Sequence, residues 1–224
     1  MKLLSTALVL LLALAGAALA QVPNQDLALK IADAQRANGA KLKNYSWSCR
    51  VELLESGLVQ DIRIFSVTFG QDGQLQRTVL NDQPSPLPRG FIRRRIAEKK
   101  REDVEKYLLG LNKMLDQYTL PTAGKILDFV SKAAISAPDA NGLLQLNGSD
   151  VIFPGDSLSF WVNGQTRQEV KIQANATFQG DFVEATASFR SMPNGPTHLE
   201  FASVAVPSKN LTLQVHNYNY NSNN

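Results

Sequence analysis

Apolar and polar residues alternate along most of the chain after residue 142, and this period of two constrains the fold more than any other feature. In the clearest run, "EVKIQANATF" (169–178), nearly every second residue is apolar. Such alternation is typical of an antiparallel strand with one face on a core and the other in water. Turn signals such as "PGD", "NGQT", "QGD" and "PNGP" separate the runs. The pattern predicts six strands, at about Leu143–Phe153, Ser157–Val162, Gln168–Gln179, Phe182–Arg190, Thr197–Val206 and Leu211–Tyr220.

The first half of the chain combines helical and strand patterns. A leading helix is predicted from Asn24, a residue type that caps helices, to Gly39. Three strands should follow at about 45–55, 59–69 and 74–80, with a hairpin turn at Asp72-Gly73. Residues 81–90, "NDQPSPLPRG", are predicted to be a linker, because alternate prolines block strand pairing. Two central helices come next: the first carries apolar residues at helical spacing up to Tyr118, and the second spans about 122–136.

This order of helix, three strands, two helices and six strands predicts an α+β fold. The strands alternate, so they should form an antiparallel sheet with one wet face. A sheet of about nine strands is large enough to curl, and the central helices should pack in its concavity. We therefore expect residues 21–224 to form a single domain, an open half-barrel.

A known family shows the same arrangement. The leading helix, the meander "YSWSCRVEL…DIRIFSVTFGQDGQLQRTVL", the central helices and the final strand "LTLQVHNYNY" resemble the periplasmic lipoprotein carriers of the LolA/LolB type. The resemblance lies in order and patterning rather than in a sharp motif. It implies an open β half-barrel closed by helices, with an apolar cavity for acyl chains. It also makes Arg50 and Arg63 candidates for the strand arginine that is important in those carriers.

The first twenty residues, "MKLLSTALVLLLALAGAALA", indicate the compartment. One charge at Lys2, an apolar run and small residues ending at Ala20 have the layout of a secretory signal peptide. Cleavage is predicted between Ala20 and Gln21, and Gln21 excludes a cysteine-linked lipid anchor at that position. The mature protein is therefore expected to be periplasmic or secreted.

A basic run, "RRRIAEKKRE", precedes the apolar part of the first central helix. Its basic residues are Arg93, Arg94, Arg95, Lys99, Lys100 and Arg101. One interpretation is a solvated helix face, since Glu98 and Glu102 interleave with the cations. The alternative is a surface for anionic membrane headgroups or for an acidic protein partner. A nucleic-acid partner is not expected, because the net charge of the whole chain is only +3 and the chain is predicted to be exported.

The sequence contains no recognisable catalytic or metal-binding pattern. His198 and His216 have no carboxylate or cysteine at metal-ligand spacing, and no nucleophile elbow, P-loop or dinucleotide fingerprint occurs. Cys49 lies on the apolar side of a predicted strand, where it should act as an inert small hydrophobe. We expect no cofactor, no metal and no enzymatic activity.

The function that the sequence favours is binding of a lipid acyl chain or another apolar ligand, as a carrier or a sensor, between the sheet and the central helices. The alternatives are an interaction module whose concavity is filled by its own helices, and a hydrolase with a dispersed site. The expected cavity residues are Trp47, Val51, Leu108, Leu111, Leu115, Phe160, Val170, Ile172, Val183 and Phe189.

Overall fold

The computed structural model describes residues 21–84, 86, 89–120 and 122–223. The predicted signal peptide, residues 1–20, lies outside this part. The described helices are α1 (Gln21–Leu42), α2 (Phe91–Leu115) and α3 (Ala123–Lys132), with short 3-10 turns at Asp116–Tyr118 and Pro207–Lys209. The strands are β1 (Tyr45–Glu55), β2 (Leu58–Phe69), β3 (Leu75–Pro84), β4 (Ala134–Ile135), β5 (Leu143–Ser149), β6 (Ser157–Asn163), β7 (Glu169–Phe178), β8 (Asp181–Ser191), β9 (Thr197–Val206) and β10 (Leu211–Ser222).

All ten described strands belong to one antiparallel sheet. Their order is β3-β2-β1-β10-β9-β8-β7-β6-β5-β4, so the last strand lies beside the first and the sheet ends at β3 and β4. The helices pack on one face, which we call the inner face. The predicted α+β fold, an open half-barrel with helices in its concavity, is confirmed.

The segment predicted to be a proline-rich linker, residues 81–90, is partly a strand. β3 continues to Pro84 and pairs with β2, placing Asp82 opposite Arg63 and Pro84 opposite Asp61. The nitrogen of Arg63 lies 3.4 Å from the Asp82 carboxylate. Proline is tolerated here because β3 is an edge strand, which needs its backbone N–H groups on one side only.

Three helix boundaries also differ from the sequence prediction. α1 begins at Gln21, so Asn24 lies within the helix and does not cap it. α1 also continues past Gly39 to Leu42 and ends three residues before β1. α3 begins after Thr122, whose side chain accepts a hydrogen bond from the backbone nitrogen of Lys125 (3.3 Å), and it ends at Lys132. The residues expected to extend α3 instead form β4, which pairs with β5 and gives the sheet one strand more than predicted.

The closed core lies under α3 and the first half of α1. Ala28, Ile31 and Ala32 of α1 are buried there together with residues of α3 and of strands β5 to β8. The contributions of α3 and these strands include Ile126, Phe129, Val130, Leu146, Leu158, Phe160, Ala176 and Val183. Cys49 on β1 is 4% exposed, and burial raises the pKa of its thiol despite the positive charge of Arg77.

A buried aspartate anchors the end of α2 to the sheet. Asp156, 4% exposed in the β5–β6 connection, accepts hydrogen bonds from the backbone nitrogens of residues 151 to 153 at 2.6–2.9 Å. It also accepts one from the hydroxyl of Tyr118, at 2.6 Å, in the turn that follows α2. Burial alone would raise the pKa of Asp156, but these donors hold it below its ordinary value. The carboxylate therefore fixes both its own loop and the turn after α2.

We expect Asp156→Ala to lower the free energy of unfolding by about 2–4 kcal/mol, because three backbone N–H groups and a buried hydroxyl lose their acceptor. Urea unfolding at neutral pH measures the change. Asp150→Asn is the control. Asp150 lies in the same loop and is exposed, and its side chain accepts a hydrogen bond from the backbone nitrogen of Gly155. Its φ of 51° is left-handed, a conformation that asparagine also tolerates. Equal losses in the two variants would contradict the anchoring role of Asp156.

Candidate functional site: an apolar cavity beneath the first helix

The main cavity lies between the second half of α1 and the inner face of strands β7 to β10. Its volume is about 1190 Å³. The end of α2, the turn at Asp116–Tyr118 and the start of α3 close it on one side. The part of the wall contributed by strands includes Ile172, Ala174, Ala185, Ala187, Phe189, Leu199, Ala202, Val204, Leu213 and Val215. The wall on the sheet side is therefore mainly apolar.

Small side chains on neighbouring strands create much of this space. We call Ala174, Ala185, Ala187 and Ala202 the alanine floor. Ala174 pairs with Ala185 across β7 and β8, and Ala187 pairs with Ala202 across β8 and β9. Each contributes a single methyl group to the inner face. In the closed core the side chains are larger, for example Leu158, Phe160 and Val183. Side chains of this size leave the region beneath α1 unfilled.

The ten residues expected from the sequence to line a cavity are divided between three environments. Leu115, Ile172 and Phe189 line the cavity. Leu111, Phe160 and Val183 are at most 2% exposed and lie in the closed core, and Leu108 packs against that core. The other three, Trp47, Val51 and Val170, are partly buried on β1 and β7 and are not among the residues of the cavity wall.

Irregularities in the sheet explain the position of Val170. The register of β6 and β7 shifts after Trp161, so that Trp161 pairs with Lys171 and Val162 with Glu169. Val170 is the extra residue of this bulge, and the alternation that placed it on the inner face is broken. As a result Glu169, predicted to lie on the wet face, lines the cavity instead.

On β1, Trp47 also lies at a register shift, and Val51 lies on regular strand. The indole of Trp47 stacks on Tyr220 with centroids 5.2 Å apart and contacts Phe69 at 5.9 Å. Val51 pairs with Val215, which does line the cavity, so it borders the site from the adjacent strand.

Of the two arginines suggested by family resemblance, Arg63 forms ion pairs with Asp61 (3.2 Å) and Asp82, and Arg50 pairs with Glu52.

Polar residues at the rim connect α1 to the sheet. The amide of Gln35 donates a hydrogen bond to the carboxylate of Glu169. The side chain of Asn38 makes two hydrogen bonds of 2.7 Å with the backbone of Thr197, donating to its carbonyl and accepting from its N–H. The hydroxyl of Thr197 in turn donates to Gln168 at 2.5 Å. These contacts hold α1 above the alanine floor.

Glu169 is a titratable group of the cavity wall whose pKa is shifted. Burial raises its pKa from 4.5 to about 7, although the hydrogen bond from Gln35 opposes this shift. A carboxyl group with this pKa changes its charge near neutral pH. The cavity therefore combines an apolar floor with a hydrogen-bonding rim whose charge depends on pH.

Sequence reasoning missed the rim and the alanine floor for different reasons. Glu169 looked solvated because a bulge is not visible in a pattern of alternation. The alanines lie at alternate positions, in "EATAS" and "FASVA", and the alternation pattern does not distinguish them from other strand positions. Gln35 and Asn38 lie at i and i+3 on α1, so they share a face of the helix. Nothing in the sequence indicated what that face contacts.

The basic residues singled out from the sequence lie on the first half of α2, away from the cavity wall. Arg93, Arg94, Arg95, Lys99, Lys100 and Arg101 are exposed. Arg94 pairs with Glu98 at 2.8 Å, and Lys100 pairs with Glu55, at the end of β1, at 2.5 Å.

Across the described residues, no group of three or more histidine, cysteine, aspartate or glutamate side chains is arranged to hold a metal ion. None of the helices in residues 21–223 that the structure describes is long and apolar enough to cross a membrane.

Comparison with known proteins finds structural similarity at low sequence identity. No protein-family model and no curated protein matches the chain. A DUF1329 family protein from Desulfovibrio piger ATCC 29098 is similar in structure at 11% identity, over 90% of this chain and 92% of that chain, with a TM-score of 0.42. A LolA superfamily protein from Nitrosomonas europaea is similar at 10% identity, over 84% of this chain and 93% of that one, with a TM-score of 0.34. The similar structures include a protein of the LolA superfamily, the type that the sequence resembles. The function has to be argued from the geometry of this chain.

We expect Glu169→Gln to stabilise the protein above neutral pH. The raised pKa means that the folded state holds a proton more tightly than the unfolded state, so stability falls as pH rises from about 4.5 through about 7. The variant should therefore unfold with a free energy about 1–3 kcal/mol higher than wild type at pH 8, with the difference disappearing near pH 4. Denaturant unfolding across this pH range measures the effect.

Glu184→Gln, on the neighbouring strand and the opposite face, is the control for the change in net charge. A Glu169→Gln variant that is less stable than wild type at pH 8 would show that the ionised carboxylate is stabilising, contrary to this description.

Proposed function

We propose that the protein binds an apolar ligand, such as a lipid acyl chain, in the cavity beneath α1 and carries or senses it. The observation that supports this most is the cavity of about 1190 Å³ over the alanine floor. A concavity filled by its own helices, as an interaction module would have, would not leave this volume.

The size and lining of the cavity suit such a ligand. Small-molecule sites in proteins usually measure about 300–1,000 Å³ and are lined mainly by apolar side chains with a few polar groups. At about 1190 Å³ this cavity is somewhat larger than that range, which leaves room for a long acyl chain. The apolar strand wall offers water few hydrogen bonds, so a hydrophobic guest can displace water from that side of the cavity. A flexible acyl chain can follow the row of small residues from β7 to β9.

The distribution of polar groups suggests how an amphiphile would be oriented. The strands provide the apolar floor, whereas Gln35, Asn38 and Glu169 lie where α1 meets the sheet. A ligand with an apolar chain and a polar head would place its chain on the alanines and its head near these side chains. Export, predicted from residues 1–20, would bring such a carrier to a compartment bounded by lipid membranes.

The alanine floor gives a direct test. Ala187→Trp places a large apolar side chain between Ile172 and Ala202, its cross-strand neighbours, and should reduce binding of a fluorescent fatty acid by roughly tenfold or more, since the space beneath α1 is then filled. Titration of the probe by fluorescence measures affinity, and circular dichroism establishes that the variant is folded.

Ala205→Trp is the matched control. Ala205 lies on β9 between the inner-facing Val204 and Val206, and its side chain is on the opposite face. The control should bind as wild type does. Unchanged binding by folded Ala187→Trp would place the ligand elsewhere, and absence of binding by wild type to any apolar probe would refute the function itself.

A further inference from the structure

The first half of α2 concentrates positive charge that the rest of the chain does not have. Residues 89–101, here called the cationic segment, contain seven basic side chains and a single acidic one, Glu98. The complete chain has 23 basic and 20 acidic side chains, so acidic residues outnumber basic ones outside this segment. The net charge of +3 is therefore the sum of a strongly positive charge in the cationic segment and a slightly negative charge in the rest of the chain.

Large apolar side chains are exposed on the same helix end. Phe91, Ile92 and Ile96 are 79%, 73% and 65% exposed. At about 100° per residue they lie within roughly 140° of the helix circumference, so they form one side of it. Arg95 and Lys99 fall within the same arc, and basic residues flank it.

This end of α2 lies apart from the core. The residues of the helix that pack against the core begin with Val104 and continue to Leu115. Before them, the ion pair of Lys100 with Glu55 connects the segment to the end of β1. Only the second half of α2 packs against the core. Phe91, Ile92 and Ile96 lie on the first half and are therefore exposed.

We propose that the cationic segment docks the protein on the surface of an anionic lipid membrane. Phe91, Ile92 and Ile96 enter the boundary between headgroups and acyl chains, and the surrounding arginines and lysines contact lipid phosphates. Helices that lie in a membrane interface combine these two features, apolar residues on one side and basic residues around them. Nucleic acids would attract the charges but would offer no apolar environment to the three large apolar side chains.

Vesicle binding tests this proposal with the whole protein. It should sediment with vesicles of equal parts phosphatidylcholine and phosphatidylglycerol, and not with phosphatidylcholine alone. Replacing Arg93, Arg94 and Arg95 together with glutamine should weaken binding on the order of a hundredfold. Replacing Phe91, Ile92 and Ile96 with serine should weaken it roughly tenfold or more, because insertion contributes apart from charge.

Matched controls are available on the same helix. Leu109 is 63% exposed but lies outside the cationic segment, so Leu109→Ser should bind as wild type does. Replacing the exposed Lys106 and Lys113 with glutamine removes two positive charges from α2 outside the cationic segment. This variant should bind vesicles as wild type does. Each variant should keep wild-type binding of the fatty-acid probe, which distinguishes failure of docking from failure of the cavity.

A polarity-sensitive dye on Ile92→Cys reports insertion directly, since the buried Cys49 should stay unlabelled. Its emission should shift to the blue with anionic vesicles. Three results would overturn the proposal: no binding to anionic vesicles, equal binding to neutral vesicles, or binding that the serine variant retains in full. Full binding by the serine variant would indicate instead a cationic surface that binds any polyanion.

Discussion

The inner face of the ten-stranded sheet is wider than the helices that lie against it, and the rest of the structure follows from this. α3, the first half of α1 and the second half of α2 form the closed core together with large strand side chains such as Phe160. The second half of α1 spans the remaining width, where Ala185, Ala187 and Ala202 leave space. One sheet thus supplies both a stable core and a cavity, and the size of the side chains decides which is formed.

The fold could be predicted because its signals are local. Alternation in 169–178, turn residues such as Gly180 and the helical spacing on α2 each depend on neighbours in the sequence, and all agreed on an antiparallel sheet with helices on one face. The error at residues 81–90 has a non-local cause. Prolines were read as a linker at 81–90, but the place of β3 at the edge of the sheet lets it run to Pro84.

The site was harder to predict, since it depends on which residues are brought together from distant parts of the chain. Apolarity alone ranked Phe160 and Val183 with Ile172, although the first two lie in the core. The bulge at Val170 moved Glu169 to the inner face, and its contact with Gln35 joins residues 134 positions apart. Such a contact is fixed by the docking of α1 and leaves no pattern in the sequence.

The central claim is that the cavity beneath α1 holds an apolar ligand, and native mass spectrometry of the protein purified from its own host tests it most directly. We expect wild type to carry an additional mass that is released on unfolding and is identified as a lipid or fatty acid. Ala187→Trp, purified in the same way, should show little or none of it. Wild type that appears only at the mass of its polypeptide, or a bound lipid that Ala187→Trp retains in full, would contradict the account.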